Sequence, residues 1–154
     1  MKRLLIPVVV LIGVGAFIAV NAAAKGKPTT GHGGHAIHVI EHAVSDAVTN
    51  GTAGDDAGNV LTFANPVFDK QDSQQVGSDQ GYCIRIVVGK SWECNWTTFL
   101  AGGQITVEGP FFDTHDSVVA ITGGTGRYAN VRGSMELKSR SGGTEYDFIF
   151  HLIG

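Results

Sequence analysis

The sequence predicts an all-β domain, and three observations carry that prediction. From Ala36 onward, short apolar runs alternate with turn residues at a spacing typical of strands. The turns are marked by glycine clusters, among them Gly102-Gly103 and Gly123-Gly124-Thr125-Gly126. No segment in this part of the sequence combines a helical period with capping residues. Short strands joined by tight turns are therefore the expected architecture.

Eight strands are predicted, and their pattern alone leaves open whether they close into a barrel or pair as a sandwich. They span Ala36–Ser45, Val60–Asn65, Gly81–Val88, Trp92–Leu100, Gln104–Gly109, Ser117–Thr122, Gly133–Ser139 and Glu145–Leu152. A barrel of this size holds packed side chains or one small ligand. The aromatic residues expected to fill the core, with some of them bordering a ligand cavity, are Trp92, Trp96, Phe63, Phe99, Phe111 and Phe112.

The N-terminus is typical of an export signal. Lys2 and Arg3 precede an apolar run over residues 4–20, and Ala22-Ala23-Ala24 supplies the small residues that signal peptidase needs. An uncleaved membrane anchor is the alternative, because the run is barely long enough to span a bilayer. We expect a signal peptide over residues 1–24, a flexible leader over 25–35, and one domain over 36–154, secreted and free of the membrane after cleavage.

Charge argues against nucleic acid as a partner. The chain has 11 basic and 14 acidic residues, and Lys2 and Arg3 belong to the expected signal. Nine basic residues then remain against 14 acidic ones, a formal charge of −5. An anionic surface repels phosphate, so no nucleic-acid partner is expected.

Cys83 and Cys94 are the only cysteines, and an export signal would deliver both to an oxidising compartment. The segment between them is typical of a hairpin that turns around Val88-Gly89. An even-length loop centred there places the two cysteines directly opposite each other, so we expect a disulfide.

Several motifs resemble the allene oxide cyclase and dirigent superfamily. They are Thr62-Phe63-Ala64-Asn65, Gly81-Tyr82-Cys83, Val107-Glu108-Gly109-Pro110-Phe111, Ala120-Ile121-Thr122-Gly123-Gly124 and Arg132-Gly133. The resemblance implies an eight-stranded antiparallel β-barrel with a pocket for a small apolar or phenolic molecule. It also implies a homo-oligomer, since the plant cyclases are trimers. The ring closure that the resemblance implies depends on holding the substrate in one conformation inside a dry cavity, so no cofactor and no metal are expected.

The resemblance also assigns site residues. Glu41 and Asn65 match catalytic positions, with Glu41 stabilising developing charge and Asn65 holding a water or the substrate oxygen. The pocket residues are Cys83, Phe63, Trp96 and Phe111. Two positions depart from the plant enzymes, which have asparagine where Ala43 stands and tyrosine where Phe111 stands. Fewer polar partners then surround a bound water, so literal allene oxide cyclase activity is not expected.

The direction of two side chains stays open. Both faces of the first strand are apolar, so the period alone does not place Glu41 inside or outside. On the third predicted strand, burial favours Ile84 and Ile86 inside with Cys83 outside, whereas the resemblance favours the reverse. In the reverse case the two isoleucines form an exposed stripe, which is typical of a partner surface.

His38-Val39-Ile40-Glu41-His42 spells a zinc-peptidase motif, H-x-x-E-H. Zinc catalysis through that motif requires a helix, and the local residues favour a strand.

The leading functional hypothesis, which follows from the resemblance, is an isomerase or cyclase of the resembled type. A non-catalytic dirigent-like protein or ligand carrier is the alternative, and a barrel with a filled interior and no ligand is a third possibility.

Overall fold

The computed structural model describes residues 35–51 and 53–153. Within them the chain forms nine strands and one three-residue 3₁₀ helix, Gly126–Tyr128. The strands are β1 (His35–His42), β2 (Ala47–Asn50), β3 (Val60–Asp69), β4 (Gln75–Val87), β5 (Ser91–Leu100), β6 (Gly103–Phe112), β7 (Ser117–Gly124), β8 (Arg132–Arg140) and β9 (Glu145–Ile153). The expected signal peptide and all but the last residue of the expected leader lie outside the described residues. No helix in the described part is long and apolar enough to cross a membrane.

Eight of the strands close into an antiparallel barrel. From β3 to β9 each strand pairs with the next one along the chain, and β1 pairs with β9 on one side and with β3 on the other. The short β2 pairs with the start of β3, outside the closed ring. The predicted all-β barrel is thus confirmed, and the sandwich alternative is wrong.

The barrel closes along a narrow seam between β1 and β3. There Val39, Ile40 and Glu41 lie opposite Asp69, Phe68 and Val67. β1 ends at His42, three residues before its predicted end. After His42 the chain leaves the β1 ladder, because the backbone amides of Val44 and Ser45 donate to the side-chain oxygen of Asn65, each at 3.0 Å.

β4 starts six residues before its predicted start, Gly81. The sequence pattern missed this half of the strand because its buried inward residue is an acid, Asp79, rather than an apolar side chain. In the second half, Cys83 is 5% exposed, whereas Ile84 and Ile86 are 38% and 54% exposed. Of the two open alternatives for this strand, the one with Cys83 inside is therefore observed.

The core fills the lumen from the inward faces of all eight barrel strands. Its fully buried members include Phe148, Phe150, Met135, Ile105, Val107, Val119 and Val67. The prediction that Phe99 and Phe112 fill this core is wrong. Alternation on β5 turns Trp96 and Thr98 inward and Phe99 outward, while Phe112 packs on the ring of His115.

Gly81 lies where two strands of the inner wall come close. It faces Trp96 on β5, and a Cβ at this position would collide with the Trp96 side chain. Glycine therefore allows β4 and β5 to approach closely at Trp96.

Candidate functional site

A cavity opens at one end of the barrel. It contains about 420 Å³ of empty space, including the part that opens to solvent. The lining comes from the end of the barrel where β3, β5 and β9 begin and β1, β4 and β6 end. The lining residues are Glu41, Asp46, Leu61, Phe63, Cys83, Cys94, Trp96, Phe111, Leu137, Tyr146 and Phe148. An apolar wall with a few polar groups is the usual composition of a small-molecule pocket.

The cavity wall includes every residue that the sequence assigned to a pocket. Phe63 and Trp96 meet edge to face with ring centroids 6.3 Å apart, and Trp96 lies 5.8 Å from Phe148. Phe111 packs edge to face on Tyr146 at 5.8 Å. Aromatic walls of this kind favour flat, apolar ligands.

The predicted disulfide between Cys83 and Cys94 is confirmed. The two residues are direct partners in the β4–β5 ladder, with Cα atoms 4.0 Å apart. Both are buried and both line the cavity, so the sulfur atoms form part of the surface that a ligand would meet.

Glu41 turns its carboxyl group into the barrel. It is 5% exposed, and its Cα lies between those of Val67 on β3 and Tyr146 on β9. Its Oε1 accepts a hydrogen bond from Nδ2 of Asn65 at 2.7 Å. The structure thus brings together the two residues that the sequence assigned to catalysis.

Asn65 is held in one orientation by its surroundings. Its Oδ1 accepts hydrogen bonds from the backbone N–H groups of Val44 and Ser45, and an N–H group can only donate. The Nδ2 group must then point the other way, where it donates to Glu41 and, at 2.8 Å, to Asp46. Both amide protons are used, so no donor is left for a bound water or a substrate oxygen. The water-holding role expected for Asn65 does not fit this geometry.

The pKa of Glu41 is shifted far from its ordinary value. Burial raises the pKa from 4.5 to about 7; the hydrogen bond from Asn65 lowers it in part, the charge of Asp46 raises it, and His42 lowers it slightly. A carboxyl group with such a pKa can hold or release a proton near neutral pH.

Asp79 is a second buried acid, and the sequence reasoning missed it. It is 2% exposed, and no donor within residues 35–51 and 53–153 makes a well-formed hydrogen bond to either carboxyl oxygen. Burial, and to a smaller extent the charge of Glu41, raises the pKa of Asp79 to about 9. The backbone of Asn65 lowers this pKa only in part. A signal for it did exist, since Asp79 shares the parity of Cys83 on the same strand.

The buried polar residues form a row across the inner wall. Asn65 faces Asp79 across β3 and β4, and Asp79 faces Thr98 across β4 and β5. Glu41 joins the row through Asn65. Thr98 Oγ1 and Trp96 Nε1 are also buried, and neither has a hydrogen-bond partner in the part of the chain that the structure describes. We name Glu41, Asn65, Asp79 and Thr98 the polar row.

Two further residues at the mouth were not predicted. Asp46 lies in the exposed connection after β1, where no strand pattern pointed to it. Tyr146 is half-buried, and burial raises the pKa of its hydroxyl, as do the charges of Glu41 and Asp46. Its alternation with Phe148 and Phe150 on β9 could have placed it inside. Tyr146 brings a phenol to a wall where Phe111 has none.

An arginine fastens the loops at the same end of the barrel. Arg85 is 7% exposed, forms an ion pair with Asp113 at 2.7 Å, and lies 4.0 Å from the ring centre of Trp92. It also pairs with Asp55 in the connection between β2 and β3. Through Arg85 on β4, this cluster links the β2–β3 and β6–β7 connections around the open end.

Fold and site together define a closed β-barrel with a largely apolar pocket and buried carboxyl groups. No protein-family model matches the sequence. A pyocyanin demethylase is 25% identical with a TM-score of 0.63, over 75% of this chain and all of that one. A pterocarpan synthase dirigent protein is 21% identical with a TM-score of 0.64, over 85% of this chain and 98% of that one. An exo-specific intermolecular Diels-Alderase is 14% identical with a TM-score of 0.63, over 80% of this chain and all of that one. The chain thus shares its fold with these barrel proteins.

Proposed function

We propose that this chain is an exported member of the allene oxide cyclase and dirigent superfamily, and that it binds a small apolar or phenolic molecule and rearranges it as an isomerase or cyclase. The observation that carries the proposal is Glu41, a buried carboxyl group with a pKa of about 7 on the wall of an aromatic cavity. The disulfide supports the exported location, because such bonds persist in oxidising compartments.

In the proposed reaction the apolar wall holds the substrate in one folded conformation and excludes water. Phe63, Trp96, Phe111 and Phe148 supply that wall. Glu41 then stabilises positive charge or exchanges a proton at the reacting carbon or oxygen, for which a pKa near the working pH is best suited. Asn65 acts as a positioning residue that fixes the carboxyl group.

The known proteins with this fold support small-molecule chemistry in the lumen. Their names describe a pyocyanin demethylase, a pterocarpan synthase and a Diels-Alderase. A fold alone does not determine the reaction, so the proposal depends on the site.

The test begins with the ligand. Mass spectrometry of the purified protein identifies a co-purifying molecule, and quenching of tryptophan fluorescence by a panel of phenolic and apolar compounds identifies binders. Conversion of each binder is then followed by chromatography with wild type and Glu41→Gln. We expect similar binding by both proteins and a loss of turnover of about 100-fold or more in the variant.

Glu108→Gln is the matched control, because Glu108 is exposed on β6 away from the cavity. It should keep full turnover. If Glu41→Gln turns over as fast as this control, the proposed role of Glu41 is wrong.

A non-catalytic dirigent-like protein or carrier is the second candidate, and the dirigent structure with this fold favours it. In that case wild type binds compounds from the panel without converting any of them. Absence of quenching across the whole panel would contradict both candidates and favour a barrel with no ligand.

A further inference from the structure

Three ligating side chains meet on the outside of the barrel, apart from the cavity. His42 ends β1, Asp72 lies in the turn between β3 and β4, and Glu145 begins β9. Each offers one nitrogen or oxygen atom, and these atoms all lie within 4.8 Å of one another. All three residues are partly buried. They come from three distant parts of the sequence, so the fold alone brings them together.

The three side chains are held in place by their neighbours. The imidazole of His42 stacks on Phe68 with ring centroids 4.2 Å apart, and its Nε2 lies 2.7 Å from Oδ1 of Asp72. Glu145 is the direct partner of His42 in the β1–β9 ladder, and its Oε2 accepts a hydrogen bond from Ser141 at 3.0 Å. The ligand atoms of the cluster already lie within 4.8 Å of one another.

The chemistry of this set fits a divalent transition-metal cation. Zn²⁺ accepts both imidazole nitrogen and carboxylate oxygen, and sites with three protein ligands leave a fourth position for water. Ligand atoms around one tetrahedral zinc lie roughly 3.3 Å apart. Side-chain rotations would therefore widen the 2.7 Å contact between His42 and Asp72 and shorten any separation near the upper limit of 4.8 Å. Mg²⁺ and Ca²⁺ prefer oxygen ligands alone, which this set does not provide.

We propose that His42, Asp72 and Glu145 form a binding site for one divalent transition-metal cation, Zn²⁺ foremost, on the outer wall of the barrel. The site differs from the zinc-peptidase pattern in the sequence, which would need His38 and His42 on one metal. In the structure His38 instead pairs with Asp147 at 2.7 Å.

The position of the site gives the cation a structural effect. Asp72 follows β3, while His42 and Glu145 belong to β1 and β9, so a shared cation would join the two sides of the seam. Glu41 directly precedes His42 and points to the inside. A cation outside would therefore steady the strand that carries the carboxyl group inside. The inference does not depend on the proposed reaction.

The test is a direct titration of the purified chain, stripped of metal by a chelator, with ZnCl₂. We expect one equivalent of zinc to bind by calorimetry and the melting temperature to rise in its presence, since a ligand of the native state stabilises it. His42→Gln, Asp72→Asn and Glu145→Gln should each weaken zinc binding at least tenfold and remove that rise. MgCl₂ should produce neither effect.

His38→Gln is the matched control, because His38 lies on the same face of β1 and should leave zinc binding unchanged. A double change of His32 and His35 to Gln removes the two histidines that precede His38 in the sequence. Asp72→Asn and Glu145→Gln keep side-chain volume, so binding remains measurable if His42→Gln does not fold. The proposal is overturned if wild type binds no zinc, or if binding survives in Asp72→Asn and Glu145→Gln and is lost with His32 and His35.

Discussion

At the scale of single residues, Asn65 moderates the pKa of Glu41. Its hydrogen bond lowers the pKa of Glu41, against the larger increase that burial causes. Asn65→Leu removes that bond with little change in volume, so the Glu41 pKa should rise further above 7. A ¹³C NMR titration of the side-chain carboxyl groups measures the midpoint without any substrate.

Ser45→Ala serves as the control for Asn65→Leu. It removes one hydrogen bond to Asn65 Oδ1 but leaves the bond from Nδ2 to Glu41. Its Glu41 midpoint should match that of wild type. A midpoint near 4.5 in wild type would contradict the buried carboxyl group altogether.

Asp79 should make the protein less stable as pH rises. Its pKa in the folded chain, about 9, lies above the ordinary value of 3.8, so the native state keeps a proton that the unfolded chain releases. Between those values the free energy of unfolding falls with increasing pH. Asp79→Asn removes this cost and should stabilise the protein at pH 8 by on the order of 2–4 kcal/mol, with little effect at pH 4.

Urea denaturation between pH 4 and pH 9 measures this difference. Below about pH 7 the variant should keep part of the slope, because Glu41 also has a raised pKa. Asp116→Asn, a change of an exposed acid before β7, is the control and should follow wild type. Lower stability of Asp79→Asn at pH 8 would show that the charged form is favoured in the fold.

The residues of the site differed in how well the sequence revealed them. Glu41, Asn65 and Cys83 were assigned by resemblance, because periodicity left two of their directions open. The inward direction of Asp79 and Tyr146 could have been predicted from the alternation of side chains along β4 and β9. Asp46 was not, since its position depends on the turn that Asn65 imposes.

At the scale of elements, β4 presents two unlike faces. Its inner face carries Asp79, Cys83 and Arg85, and its outer face carries Tyr82, Ile84 and Ile86, which are 48%, 38% and 54% exposed. Hydrophobicity alone would invert this strand. The inversion fails because the disulfide fixes Cys83 inside and the ion pair with Asp113 satisfies Arg85 there, while the apolar side chains outside favour association.

We expect that outer face of β4 to be a contact between copies of the chain. Ile84→Lys combined with Ile86→Lys should convert an oligomer to a monomer, as measured by light scattering after size exclusion. The fold should tolerate the change, since Glu93 lies directly opposite Ile84. Val118→Lys, an exposed change on β7, is the control. A monomeric wild type would contradict this expectation.

At the scale of the whole molecule, the number and order of the eight barrel strands were predictable, because turn residues separate the strands. Closure was not predictable from the pattern, since it depends on β1 meeting β3 across about thirty residues of sequence. The ninth strand, β2, was missed because all its residues are exposed, so the strand has no alternation of buried and exposed positions.

Chemical reduction of the bond between Cys83 and Cys94 can report whether a ligand occupies the lumen. A water-soluble phosphine must pass through the open mouth to attack these sulfurs, so a molecule seated in the lumen shields them. Reduction should slow as a true ligand is added and level off when every copy is occupied, and the concentration at half effect gives the dissociation constant without a label. Mass measurement of the opened bond follows the rate. Reduction at one speed with and without saturating ligand would place that ligand elsewhere.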